Sequence, residues 1–496
     1  MQSTTWQLHR VRWYSKPRTG VSSPLLDVWG DLDEREAALG IPDGQPFLLR
    51  PDGGPDVAVL AYLNSASFRK LEADSQLSYA KDLRTHLSFL TAKGLDWREV
   101  TEDDFLDYEY WRRRDGRNPR RIGGAKFSRE LAACRRFYEW QVRRGEIARS
   151  PVVVSEVRRR DGAVGLAAEL QPKNVRSARV KWLTPRAYRR WRDVGLGGYG
   201  PDGLRDRSWR GRNDGRNLAF ADLLWSSGLR LREAATLLDV EVPDAASGAR
   251  FVRARVGDAV AKGSGRDFWV SQPALQRIGA YLRFDRAEAV RRAQAEGRYD
   301  ELAGLLTVTG VTRRRTLQVV DGNGARTEIG LDQLDGPTRR RLFRKNAEGL
   351  EPLSLWLTEA GLPMQTASWE TVFSTADQRC ESLGVEVRCH PHMLRHSFAL
   401  RMLVTLTHAF DRRLGLTPEE RREYRVLFGD PFVLVQTMLG HRSLDTTRNI
   451  YLEPVNGLQV ELFLNGEDDD DAPVSSLLSR IAVDAPQIND GGVDGR

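Results

Sequence analysis

HMLRHSFA, residues 392–399, sets His392 and Arg395 three positions apart in an apolar frame. At 3.6 residues per turn that spacing brings both to one face of a helix. Working outward, LGHRSLDTTRNIYLEP (439–454) supplies His441 and Tyr451. Upstream, GLRLRE (228–233) carries Arg230 and Glu233, and AKGSGR (261–266) carries Lys262 on a glycine-flanked turn. Five of the seven histidines fall within 390–441, and Lys262 is the only lysine between 181 and 345. Tyr424 and Tyr451 are the only tyrosines after 299, so few residues compete for each role.

These residue types fit one kind of chemistry. Breaking a phosphodiester needs in-line attack, stabilisation of charge on the non-bridging oxygens and a proton for the departing alkoxide. Many nucleases use metal ions for these tasks. A metal-free enzyme must assemble cations and an acid from side chains. Arg230 and Arg395 can clamp two non-bridging oxygens with fork-shaped, charge-assisted hydrogen bonds. His392 and His441 can donate to phosphate oxygen, and His392 can alternatively take the proton of Tyr451. Tyr451 has a free pKa of about 10 and needs neighbouring cations to stabilise its phenolate. Lys262 can protonate a leaving oxygen. Glu233 is expected to orient a cationic neighbour rather than to react, and His390, His396 and His408 to be structural or supporting.

In order and local setting these motifs resemble the active site of the tyrosine recombinase (phage integrase) family. The resemblance spans about 60–455 and rests chiefly on HMLRHSFA and LGHRSLDTTRNIY, with GLRLREA and the AKGSGR turn in support. It implies a catalytic set of Arg230, Lys262, His392, Arg395, His441 and Tyr451. It also implies conservative site-specific recombination. The tyrosine forms a 3′-phosphotyrosyl bond and releases a 5′-hydroxyl, which attacks the partner strand through a Holliday junction in a synaptic homotetramer. No cofactor and no metal are implied. The partners would be double-stranded DNA attachment sites, with an accessory directionality factor as a further candidate. One departure stands out: the His441–Tyr451 interval is one residue longer than the commonest family spacing. One residue turns a helix face by about 100°, so a loop or bulge before the tyrosine must absorb it. A phage or other mobile element is the expected source. Strand-resealing chemistry of the type IB topoisomerase or telomere resolvase kind is an alternative, as is a DNA-binding protein with a relic site.

Size and charge agree with a DNA partner. The chain has 496 residues, enough for two or three domains, and a formal net charge of +8. Nine of its 76 basic residues are lysines. Arginine's rigid fork suits phosphate, although GC-rich coding gives the same bias. Cys134, Cys380 and Cys389 form no CxxC pair, so reduced thiols in a cytoplasmic, nucleoid-associated bacterial protein are expected. No stretch reaches membrane-spanning length.

The expected fold is mainly α with a small β-sheet, an α+β chain. Residues 1–57, rich in Pro and Gly, read as an extension lying on the next domain or as an accessory arm. Helical periodicity follows over 58–155: 74–94, then 101–114 with Thr101 and Asp104 as a capping box, then about 126–145. This region resembles the helical core-binding (SAM-like) domain of the family. Residues 156–180 read as a basic interdomain linker, 181–455 as the catalytic domain and 456–496 as a partly disordered tail. The second domain opens on Thr184–Pro185, with a helix at 217–228, strands at 250–257 and 266–271, and helices at 273–296 and 368–383. Segments 300–345, with a hairpin around Asp321–Gly324, and 405–430 exceed a minimal family member. Candidate DNA-contacting arginines are Arg112, Arg113 and Arg114, then Arg158, Arg159 and Arg160, with 205–216 a further basic patch.

Overall fold

The computed structural model describes residues 4–11, 38, 40–42, 44–158, 164–172, 181–244, 249–300, 302, 304–312, 314–408, 430–440 and 488–489. For 157, 158, 164–167, 407, 408 and 488 it describes the backbone alone. Helices and strands both occur, in two compact units, Met1–Ala178 and Arg179–Arg496.

The first unit is built on helices α1 (Val57–Leu63), α2 (Ala66–Arg69), α3 (Ala73–Ala92), α4 (Glu102–Arg113) and α5 (Gly124–Arg144). Leu83, Leu87 and Leu90 recur at helical spacing on α3 and are buried with Phe105, Tyr108, Phe137 and Tyr138. Thr101 and Asp104 close the capping box that starts α4. His86 lies fully inside, stacked on Phe105 at 4.6 Å, with Nε2 3.0 Å from the Tyr138 hydroxyl. Burial pushes its imidazole down to about 3, so it is a neutral core residue.

Two segments without helical periodicity also pack here. Strands β1 (Gln7–Arg10) and β2 (Pro46–Leu49) pair antiparallel. Trp6 beside them is buried, its indole N–H donating to Thr91 Oγ1 and its backbone N–H to Ser88 Oγ, both at 3.0 Å. The described part of the extension therefore lies on α3. The stretch expected as an extended linker, 156–180, instead enters a hairpin of β3 (Val154–Arg158) and β4 (Val164–Ala168). Ala168 and Leu170 pack on the helical core. Its charges hide the strand because backbone pairing needs no apolar stripe.

The second unit centres on α7 (Asp214–Ser227). Around it pack α6 (Pro185–Trp191), α9 (Gln272–Tyr281), α12 (Ser368–Ser382) and α13 (Pro391–His408). Phe220 of α7 stacks on Trp369 with centroids 3.5 Å apart, and Trp356 meets both edge-on. The short strand β5 (Trp182–Leu183) leads into α6, which Thr184 caps with Pro185 in its first turn. A short helix α8 (Leu231–Ala235) follows α7 after three residues, the first of which, Gly228, turns the chain. Strands β6 (Phe251–Val256) and β7 (Arg266–Ser271) form a hairpin over the turn that carries Lys262. After α10 (Ala287–Ala295), the 300–345 segment builds most of a five-stranded sheet, completed by one further strand.

That sheet comprises β8 (Leu306–Val311), β9 (Thr316–Val320), β10 (Arg326–Gly330), β11 (Leu342–Asn346) and β12 (Gly349–Pro352), in the order β10-β9-β8-β11-β12. β8 and β11 run parallel. The turn between β9 and β10 is closed by Asp321, whose Oδ1 accepts from the N–H groups of Asn323 and Ala325 at 2.9 Å. Helix α11 (Gly336–Arg339) ends on a buried arginine that pairs with buried Glu241 and donates to the carbonyl of Leu331 at 2.9 Å. Of 405–430, residues 409–429 lie outside the described residues. The last described helix before the tail is α14 (Pro431–Leu439).

Candidate active site

Two glycines in left-handed conformation set the geometry. Gly228 ends α7 at φ +64°, and a Cβ there would fall 2.3 Å from Phe398 Cδ1. A side chain is excluded both by conformation and by space. GLRLRE is thereby pressed onto α13, which carries His392 and Arg395. Gly440 ends α14 at φ +65°, and its missing Cβ leaves room for Arg266, whose Cδ would lie 2.8 Å away.

Arg230 sits in extended conformation at the start of α8. Its backbone N–H donates to Glu233 Oε2 at 2.8 Å and its Nη1 to Glu233 Oε1 at 2.7 Å. Its Nη2 donates to the Gly440 carbonyl at 3.2 Å. Arg395 is 1% exposed, with Nη1 donating to the Gly228 carbonyl at 2.7 Å and Nη2 to the Leu439 carbonyl at 2.6 Å. Two guanidinium groups from segments far apart in sequence thus meet on the carbonyls at the C-terminal end of α14, directly before His441. The negative end of a helix dipole favours such cations.

Glu233 is buried and is held low, at about 2. Burial opposes its charge, but hydrogen bonds from Arg266 and the charges of Arg266, Arg230 and Arg395 prevail. His392 lies at the edge of this cluster, its ring edge-on to His396 at 4.3 Å. Although its side chain is exposed, desolvation by its surroundings and then the charges of Arg395, His390 and Arg230 push it down to about 4. Lys262 is exposed at the tip of the β6–β7 turn at φ +56°, a left-handed position that few side chains adopt. The turn is closed by Asp258, which accepts the N–H of Gly263 on its carbonyl at 2.9 Å and that of Gly265 on Oδ1 at 2.7 Å.

Arg230, Glu233, His392 and Arg395 come together. Lys262 is four residues from Arg266, which joins the same cluster. His441 and Tyr451 lie outside the described residues. Among the described residues no group of His, Cys, Asp and Glu could hold a metal ion, and no helix is long and apolar enough to cross a membrane.

The arginines expected to contact DNA divide. Arg112 is buried, with Nε and Nη2 on both oxygens of buried Glu130 at 2.8 and 2.7 Å and Nη1 on the Arg120 carbonyl at 2.7 Å. It braces α4 against α5 and is not a surface phosphate ligand. WRRR puts one of three consecutive arginines on the buried face of α4, as 100° steps require. Arg113 pairs with Glu109, and exposed Arg114 reaches the same carboxylate at 3.4 Å. The side chain of Arg158, and Arg159 and Arg160 entirely, lie outside the described residues. In the 205–216 patch, Arg216 is buried and donates to the Leu357 carbonyl at 2.8 Å. One residue went unmarked: Arg266, in the quoted AKGSGR turn. A chain so rich in arginine gives no signal that singles it out.

Residues 60–145 match the family model described as phage integrase, N-terminal SAM-like domain. No curated protein matches the chain. Among solved structures, the chain is similar to the XerH site-specific recombinase bound to palindromic difH substrate in a post-cleavage complex. The two share 14% identity over 91% of this chain and 99% of that one, with a TM-score of 0.42. The Tn1549 transposon integrase in complex with circular intermediate DNA shares 13% identity over 79% and 93%, with a TM-score of 0.39. XerA recombinase shares 14% over 83% and 98%, with a TM-score of 0.31. By the family match, the chain carries over residues 60–145 the N-terminal SAM-like domain of phage integrases.

Proposed function

We propose that this protein is a site-specific DNA recombinase that breaks and rejoins strands through a tyrosine ester, serving the integration or excision of a mobile element. The observation that carries the reading is the convergence of Arg230 and Arg395 on the Leu439 and Gly440 carbonyls, next to His441. An integrase-type N-terminal domain on the same chain supports it.

In this reading a scissile phosphate enters beside the two guanidinium groups and competes with those carbonyls for their N–H donors. The Tyr451 phenol oxygen attacks phosphorus in line, and His392, held below its ordinary value, takes the phenol proton. The phosphorus–O5′ bond breaks as the phosphorus–phenol bond forms. Lys262 gives its proton to the departing 5′-oxygen, and His441 donates to a non-bridging oxygen. The 3′-phosphotyrosyl ester keeps the bond energy, so a 5′-hydroxyl of a partner strand can reverse the step without ATP. Exchange of two duplexes in this way calls for four subunits at a synapse.

A nicked suicide duplex tests the reading. Cleavage near the nick frees a short fragment, so an SDS-resistant protein–DNA adduct should accumulate and map to the peptide containing Tyr451. An adduct on another residue, or none on any duplex from a randomised pool, would overturn the reading. Lys262→Ala should slow cleavage of ordinary DNA by about 10²–10⁴-fold, the usual worth of a general acid. A 5′-bridging phosphorothiolate, whose sulfur leaves without a proton, should restore most of that rate.

A further inference from the structure

We propose that Arg266 is a positioning residue that offsets the charge of Glu233 and keeps Arg230 aimed at the phosphate; the inference rests on the reading of the site given above. Its side chain touches two of the converging segments, α8 and the end of α14. Nη1 and Nη2 donate to Glu233 Oε1 and Oε2 at 2.9 and 2.8 Å, and Nε donates to the Met438 carbonyl at 3.0 Å. The side chain also fills the space left open by Gly440. It begins β7, so the same residue anchors the strand that follows the Lys262 turn.

Charge arithmetic gives the pair its purpose. Glu233 takes four hydrogen bonds, two from Arg230 and two from Arg266. With Arg230 alone, the buried carboxylate would neutralise the guanidinium that the phosphate needs. Arg266 supplies the compensating charge, so Glu233 can orient Arg230 through its N–H and Nη1 without cancelling it. With Arg395 alongside, these four groups retain two net positive charges, matched to an anionic phosphorane. The fork-to-fork geometry also fixes the plane of the carboxylate, hence that of the Arg230 guanidinium. Lysine keeps the charge but not the fork.

The test compares Arg266→Met, Arg266→Lys and wild type on the nicked duplex that wild type converts to adduct from a randomised pool. Adduct formation should slow by about 10²-fold for Met and by about tenfold for Lys, in the range found when a single oriented donor is lost. Duplex affinity should stay within a few-fold. Because the effect runs through Arg230 and not through Lys262, a 5′-bridging phosphorothiolate should not restore the rate. Should Arg266→Met lack a cooperative thermal transition, Glu233→Gln replaces it, and combining Glu233→Gln with Arg266→Lys should cost little beyond the slower single change. Variants that cleave like wild type, a rate restored by the phosphorothiolate, or fully additive losses would each overturn the proposal. Absence of any wild-type adduct is a different result; it removes the recombinase reading and this inference with it.

Discussion

Tyr451→Phe is expected to abolish covalent attachment to DNA while leaving duplex affinity within a few-fold of wild type. The change removes one oxygen and keeps the ring, so packing and charge are preserved. The lost atom is the only one through which this side chain can displace a phosphate ester. On the proposed mechanism lysine and histidine would only donate or accept protons, and Tyr424 is the only other tyrosine beyond 299. Binding should survive, because affinity for a duplex generally comes from contacts of basic side chains with phosphates and not from a nucleophile. An SDS gel for the adduct and fluorescence anisotropy for binding check both halves. Adduct formation by Tyr451→Phe that disappears with Tyr424→Phe would transfer the nucleophile to Tyr424. Equal loss of binding and attachment would make Tyr451 a structural residue.

Glu233→Leu is expected to destabilise the second unit by about 3–5 kcal/mol, the usual cost of removing one partner of a buried ion pair. The leucine would leave buried Arg266 facing an apolar side chain and would free the N–H of Arg230 from its acceptor. Urea unfolding followed by tryptophan emission reads this directly, because Trp191, Trp356 and Trp369 lie in that core. Acid gives an independent check. The folded carboxyl is held at about 2, below its ordinary value of 4.5. A depressed carboxyl contributes stability that is complete above the unfolded value and is lost as pH falls toward the folded one. Wild type should therefore lose stability between about pH 4.5 and pH 2, and Glu233→Leu should show a shallower slope across that window. Equal slopes would mean that other carboxylates account for acid unfolding.

Much of the fold was legible because it follows local rules. Leu83, Leu87 and Leu90 at helical spacing, the Thr101–Asp104 box and the Thr184–Pro185 start mark helices that form where expected. The alternation in RDFWVS and the Asp321 turn mark strands for the same reason. The sheet around the 300–345 segment was only partly legible. Its hairpin is local, but the parallel β8–β11 pair joins residues 36 positions apart, Leu306 with Leu342. The strand at 154–158 was hidden by charge, and Arg112 looked like a phosphate ligand until its helical face was known.

By themselves, the residues determined the chemistry on offer: arginines, histidines, one isolated lysine and a late tyrosine, each in a recognisable short motif. That is so because reactivity belongs to side-chain type and because motif spacing fixes helix faces over a few residues. Tertiary structure alone decided which of 76 basic side chains share a site. Arg230 and Arg395 meet since Gly228 and Gly440 let two helix ends approach, and Glu233 selects Arg266 by the fit of two planar groups in a space closed to water. Burial, close approach and charge balance depend on what lies nearby in three dimensions, which no local pattern encodes.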